Sequence, residues 1–164
     1  MTTKIPPTRD DYRISNECYF CQDHGDYAEE INNRLVYEGT LARVVLDRSP
    51  SVTGHVLIIP KRHVERMETL SDEEVLEIHK LKIKLNKVFT IAYEMTDFLD
   101  MERNGAGAGQ KIFHVHYHMY PANRLKSSDI LNEIVIRGPK ADDDELQQES
   151  KRLAKIWLDL YPER

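Results

Sequence analysis

Three of the chain's seven histidines stand at alternate positions in His114-Val115-His116-Tyr117-His118. In an extended segment, residues i, i+2 and i+4 share one face, so this spacing turns the three imidazoles the same way, each roughly 6.5–7 Å from the next. Phe113, Val115, Tyr117 and Met119 make an apolar opposite face. Imidazole changes protonation near neutral pH, and in its neutral form it carries a nucleophilic nitrogen. Directly upstream lies Asn104-Gly105-Ala106-Gly107-Ala108-Gly109-Gln110, which holds three of the seven glycines. Glycine lets backbone N–H groups close around an anion with no Cβ in the way. A loop of this kind leading into a one-sided histidine strand sets anion donors beside candidate nucleophiles and acids.

A second chemical motif is Cys18-Tyr19-Phe20-Cys21. A redox C-x-x-C opens a helix in a βαβ setting, and no such pattern follows here. A zinc knuckle needs two further His or Cys ligands in a closed tetrahedral site. Free thiols and a disulfide are the other two states open to the pair. His24 is a substitute ligand or a surface residue, and His79, beside Ile78 in a helical pattern, reads as structural.

The elements that must position these residues follow from periodicity. Leu35-Val36-Tyr37, Ala42 to Leu46 and His55 to Ile59 are short, β-branched and bounded by Gly39, Pro50, Gly54 and Pro60, and are predicted strands. Ser71-Asp72-Glu73-Glu74 is a capping box. Behind it Val75, Ile78, Leu81, Leu85, Val88, Ala92 and Met95 step by three and four, which predicts a helix of about seven turns with those residues inward. Further strands are predicted over 98–101, 112–120 ending at Pro121, and 130–136. A last helix starts near Asp142, opens on the acidic run Asp142-Asp143-Asp144-Glu145, turns Leu146, Leu153, Trp157 and Leu160 inward and ends before Pro162. The order does not alternate βαβα. It predicts an α+β fold with an antiparallel sheet of about five strands, one long helix and a C-terminal helix.

The chain has 164 residues, enough for one domain and a core that needs no disulfides. Residues 1–15 read as a loose leader and 16–164 as a single domain. With 28 acidic against 23 basic residues the net charge is -5, which gives no general electrostatic footprint for nucleic acid. The longest apolar run is Val56-Leu57-Ile58-Ile59, far short of the about 20 residues of a membrane helix. No secretory h-region precedes Ser15, and two cysteines are too few for a secreted scaffold, so a cytoplasmic protein is expected.

Three blocks in order, Gly54-His55-Val56-Leu57-Ile58-Ile59-Pro60-Lys61-Arg62-His63, Asn104-Gly105-x-x-Ala108-Gly109-Gln110 and His114-x-His116-x-His118-x-x-Pro121, resemble the histidine-triad nucleotide hydrolases and transferases. The resemblance runs from about Cys18 to Pro121. It implies a compact antiparallel sheet with two helices in a homodimer, acting on a nucleotide substrate. It also implies attack on the α-phosphate by His116, with His118 and His55 completing the catalytic set. The nucleotide-binding set it implies is Asp47, Asn104, Gly105, Gly109, Gln110 and Lys111. Asp47 would meet the ribose, and is otherwise a turn starter. For Cys18 and Cys21 it implies a structural zinc, Zn(2+), completed by His63 and His114. Lys111, Arg103 and Ala122 depart from the family pattern. The two cations either favour a longer polyphosphate or are solvated surface charges. Two other functions stay open: a metalloenzyme with His114, His116 and His118 as ligands, and a non-catalytic nucleotide sensor. Against the metalloenzyme, even spacing along a strand spreads the three rings too far for one ion, and that reading leaves the Gly-rich loop unexplained.

Overall fold

The structure, a computed structural model, describes residues 18–21, 26–122 and 140–162. The leader expected over 1–15, the strand expected over 130–136 and His24 lie outside the described residues. In chain order the elements are α1 (Asp26–Asn32), β1 (Leu35–Glu38), β2 (Ala42–Leu46), β3 (Val56–Pro60), α2 (Asp72–Tyr93), β4 (Asp97–Glu102), β5 (Tyr117–Ala122) and α3 (Asp143–Leu160). Short 3-10 turns occupy Met67–Thr69 and Ala106–Ala108. The five strands form one antiparallel sheet in the order β1-β2-β3-β5-β4, so the fold is α+β as the pattern predicts.

The apolar runs of β2 and β3 are continuous because both faces of these strands are covered. Val44, Leu46, Val56 and Ile58 alternate toward α2 and α3, where they meet Leu81, Leu85, Val88, Leu153 and Trp157. Val45, Leu57 and Ile59 turn the other way, against Cys18, Phe20 and Ile31. Leu57 pairs His118 in register, so this second face is the one that carries the histidines.

The capping box of α2 is formed as read: Ser71 accepts from the Glu74 amide and Glu74 accepts from the Ser71 amide. The helix has 22 residues, about six turns, and closes at Glu94 in the left-handed conformation. Met95 therefore lies past the helix, and Val75 is 50% exposed. Glu74 is the buried residue of that first turn, because its carboxylate caps Ser71 and receives Arg62 at 2.9 and 2.7 Å. Phe89 joins the buried stripe in addition. His79 is exposed on α2 rather than structural. At α3, Asp142 caps the amides of Asp144 and Glu145, and Trp157 stacks on Tyr37 with ring centroids 4.3 Å apart.

The strand expected over 112–120 begins instead at Tyr117 and runs through Pro121 to Ala122. Pairing with β3 ends at Met119, so Pro121 needs no ladder donor on that side. Strand β4 is longer than the pattern suggested by one residue at each end.

Glu74→Gln should lower stability by about 1–3 kcal/mol at pH 7, read by urea unfolding, since a hydrogen-bonded charge is lost from a buried cap. Arg62 holds the Glu74 carboxyl below its usual range. Its contribution is then complete above the unfolded value of about 4.3 and is lost as pH falls through the depressed folded value, where variant and wild type converge.

Candidate active site

The histidine segment is held by partners other than a strand ladder up to His116. The Val115 amide donates to the Val64 carbonyl at 2.6 Å, and the His114 ring donates through Nε2 to the Pro60 carbonyl at 2.8 Å. Side chains still alternate across it, with Val115, Tyr117 and Met119 in the main core and the imidazoles on the opposite side.

His114 is fully buried. Because a carbonyl only accepts, its Nε2 carries the proton and Nδ1 presents a lone pair. That lone pair lies 3.4 Å from Cys18 Sγ and 3.3 Å from Cys21 Sγ, and His63 Nδ1 lies 3.2 Å from Cys21 Sγ. One donor atom from each of these four residues falls within 4.8 Å of the others, with His63 at the exposed edge. The hydrogen bond with Cys21, helped by His114 and opposed by burial, holds the Cys18 thiol below its ordinary range. Two thiolates and two imidazole nitrogens around a tetrahedral ion satisfy all four, at ligand separations of about 3.5 Å. The four residues therefore fit a closed metal site.

His116 is oriented by the same backbone. Its Nδ1 donates to the His114 carbonyl at 2.7 Å, which makes Nε2 the lone-pair nitrogen of the neutral ring. Phe20, buried within the cysteine turn, meets His114 and His116 edge-on at 5.7 and 5.2 Å. His116 and His118 have ring centroids 5.1 Å apart, closer than strand spacing alone suggests. His118 Nδ1 lies 2.9 Å from His55 Nε2. The Ser51 amide donates to His55 Nδ1 at 3.4 Å. His55 thus donates through Nε2, His118 accepts at Nδ1, and the His118 proton sits on Nε2. Tyr120 stacks on His55 at 4.1 Å. The buried Asp47 carboxylate takes the Ser49 amide at 2.8 Å, the turn-forming role, and sets Oδ2 3.8 and 4.0 Å from the two imidazoles. Asp47, His55 and His118 also fall within 4.8 Å of one another as potential ligands. The three triad rings engage three different sets of partners, so they do not converge on one ion.

Gln110 closes the glycine loop. Its Oε1 accepts from the Gly105 amide at 2.7 Å and its Nε2 donates to the Glu65 carbonyl at 3.1 Å. Gly105 needs its lack of a side chain, since its φ is 99°. The cleft beneath gathers Asp47, His55, His116 and His118 with Gly109, Gln110 and Lys111. Asn104 and Gly105 are outside its lining. The Asn104 side chain accepts from the Met67 amide and donates to Glu68 instead. Ser51, Met101, Ile112 and Tyr120 also line the cleft and were not singled out in the sequence; they arrive from four different loops or strands, with no local signal. Arg103, noted as a departure from pattern, lines it too.

Against known proteins, the model of the HIT domain matches residues 28–125. The adenosine 5′-monophosphoramidase hnt1 of Schizosaccharomyces pombe is 37% identical over 84 residues, 51% of this chain and 60% of that protein. The bis(5′-nucleosyl)-tetraphosphatase (asymmetrical) of the same organism is 27% identical over 132 residues, 78% of this chain and 65% of that protein. A hypothetical histidine triad nucleotide-binding protein from Sulfolobus tokodaii superimposes with a TM-score of 0.69 at 23% identity, covering 87% of this chain and 93% of that one. The chain belongs to the HIT-domain family.

Proposed function

We propose that this chain is a nucleotide hydrolase or nucleotidyltransferase of the histidine-triad type, acting on the α-phosphate of nucleoside phosphoramidates or dinucleoside polyphosphates. The observation that carries this is the His116 Nδ1–H bond to the His114 carbonyl, which presents Nε2 as the attacking lone pair. Relatives named as a monophosphoramidase and a tetraphosphatase support the substrate class. In the first half-reaction His116 Nε2 bonds to the α-phosphorus while the bond to the leaving group breaks, and the electron pair departs on the bridging atom. The ring becomes a phosphorylated imidazolium whose charge the His114 carbonyl faces. His118, with its proton on Nε2, donates to a phosphoryl oxygen or the leaving atom. In the second half water attacks the same phosphorus, the P–N pair returns to His116 as neutral imidazole, and one water proton goes to solvent. His55 and Asp47 orient His118, and Gly109, Gln110 and Lys111 sit on the phosphate side. Asn104 and Gly105 serve this site by shaping the loop.

A zinc held by Cys18, Cys21, His63 and His114 is part of this reading. When bound it supplies a structural cross-link, with all four positions taken by protein and none left for water. A homodimer is the assembly this reading takes from the family resemblance; among the described residues β4 lies at one edge of the sheet. Among the described residues no helix is long and apolar enough to cross a membrane. A cytoplasmic protein with small-molecule substrates, and neither nucleic acid nor membrane as partner, completes the proposal.

His116→Asn should keep its fold and nucleotide binding while turnover falls at least about 10³-fold. Wild type quenched without acid should show a nucleoside-monophosphate adduct on the peptide holding His116. An active variant, an adduct elsewhere, or loss of turnover on chelation with the fold intact would favour metal-dependent chemistry; binding without turnover would favour a sensor.

Metal analysis should find about one zinc per chain, absent from a Cys18→Ser, Cys21→Ser double variant. Its loss should lower the unfolding temperature more than it changes the catalytic step of molecules that stay folded. Light scattering at micromolar concentration should give twice the 19.2 kDa chain mass.

A further inference from the structure

Two cations stand at the mouth of the histidine cleft. Arg103 follows the last residue of β4, and its side-chain stem passes 3.9 Å from the place a Cβ would take on Gly109. Lys111 follows Gln110 and is exposed. Both line the cleft with His116 and His118. Among the described residues neither makes an ion pair, whereas the nearby Arg62, Arg66 and Lys82 each hold a carboxylate. The carboxylate inside the cleft, Asp47, is bound to the Ser49 amide and faces the imidazole pair. Positive charge at the mouth is therefore left for a ligand.

The two classes of leaving group make different demands on this cleft. The Ser51 amide fixes His55 Nδ1 as an acceptor, so the His55–His118 pair holds one proton between its rings and one on His118 Nε2. That arrangement aims one proton, the one on His118 Nε2, at the cleft. An amine leaves phosphorus only with a proton added to its nitrogen. A phosphate-ester or anhydride oxygen with further phosphates behind it leaves as an oxyanion, and needs counter-charge in place of a proton. Arg103 and Lys111 are the cations of the cleft lining that can supply that counter-charge.

We propose that Arg103 and Lys111 select substrates by their leaving group, favouring nucleosides activated by a polyphosphate over those activated by an amine. This rests on the His116 reading above. The His116 Nε2–phosphorus bond forms, the bond from the α-phosphorus to the bridging oxygen breaks, and both electrons stay on that oxygen. The polyphosphate departs one negative charge richer, held by the two side chains, while the imidazole ring takes the matching positive charge.

The test compares kcat/KM for diadenosine tetraphosphate and adenosine 5′-phosphoramidate, both of which would give the same adenylyl-His116. In Arg103→Gln and in Lys111→Gln the tetraphosphate-to-amidate ratio should fall about tenfold, the worth of roughly one charge-assisted contact, and further in the double variant. Lys111→Arg should retain most of the wild-type ratio. In wild type, raising salt from about 0.05 to 0.5 M should lower the ratio by screening the exposed charges. A ratio unmoved by both Gln variants and by salt overturns the leaving-group assignment while the nucleotide reading stands. Wild type that cleaves neither compound overturns both.

Discussion

A neutral imidazole can attack phosphorus through one nitrogen only while the other keeps its proton, and here that proton is held by a backbone carbonyl. The carbonyl belongs to His114. The same residue sends its own Nε2–H to Pro60 at the end of β3 and turns Nδ1 toward two cysteine sulfurs. Three bonds from one buried residue thus join the central strand, the thiol cluster and the candidate nucleophile. The peptide plane that carries this carbonyl is pinned by the Val115 amide's bond to the Val64 carbonyl, and without that fixed direction His116 would sample the tautomer that puts its lone pair on the wrong nitrogen. The tautomer of the candidate nucleophile is set by a neighbouring backbone carbonyl.

The packing reinforces this coupling. Phe20 fills the space between the two rings from inside the cysteine turn. Tyr19, next to it, accepts from Arg34 at 2.7 Å, and the buried Arg34 guanidinium also donates to the carbonyls of Glu30 and Leu46. A buried arginine is costly unless its donors are satisfied, and these acceptors bind it to α1, β2 and the cysteine turn together. The short Cys18–Cys21 segment is therefore anchored on both sides, by side chains in its middle and by sulfur at its ends. That rigidity lets four residues brace a ring 5 Å away.

Much of this was legible in the sequence, where the signal was local. Capping residues placed α2 and α3, β-branched runs placed β1 to β3, and alternation placed the imidazoles on one face. Local signals failed where long-range contacts decide. The alternation of 112–116 read as strand, yet β4 ends opposite Tyr117, and the segment before it is held by Val64 and Pro60 instead. Helix α1 has seven residues, and among its described side chains one apolar group, Ile31, is fully buried, too little periodicity to register. Val75 fits the helical stripe, but Glu74 takes the buried place because Arg62 arrives from a loop twelve residues away. Asn104 sits beside a glycine loop in sequence, and faces Glu68 because the 3-10 turn at Met67 packs there.

The C-terminal helix, which lies outside the matched family segment, acts on the same site through the loop between β2 and β3. That loop carries Asp47, Ser51 and His55, and its conformation sets the proton on His118. Gly54 turns it with φ of 81°, and the Tyr93 ring sits where a Cβ on that glycine would be, at 2.5 Å. Tyr93 is clamped in turn from α3: its hydroxyl donates to Glu149, Arg152 lies over its ring and pairs with Glu149, and Arg152 also donates to the Ala92 carbonyl. At the other end of the loop the Ala141 amide, just before α3, donates to the Arg48 carbonyl. Both ends of the loop are thereby fixed from a helix that contributes no group to the cleft. Hydrogen bonds of 2.9 and 3.4 Å between Ser51, His55 and His118 lose their alignment with shifts of a few tenths of an ångström. Such a relay persists only on a loop held from outside, and α3 supplies that hold.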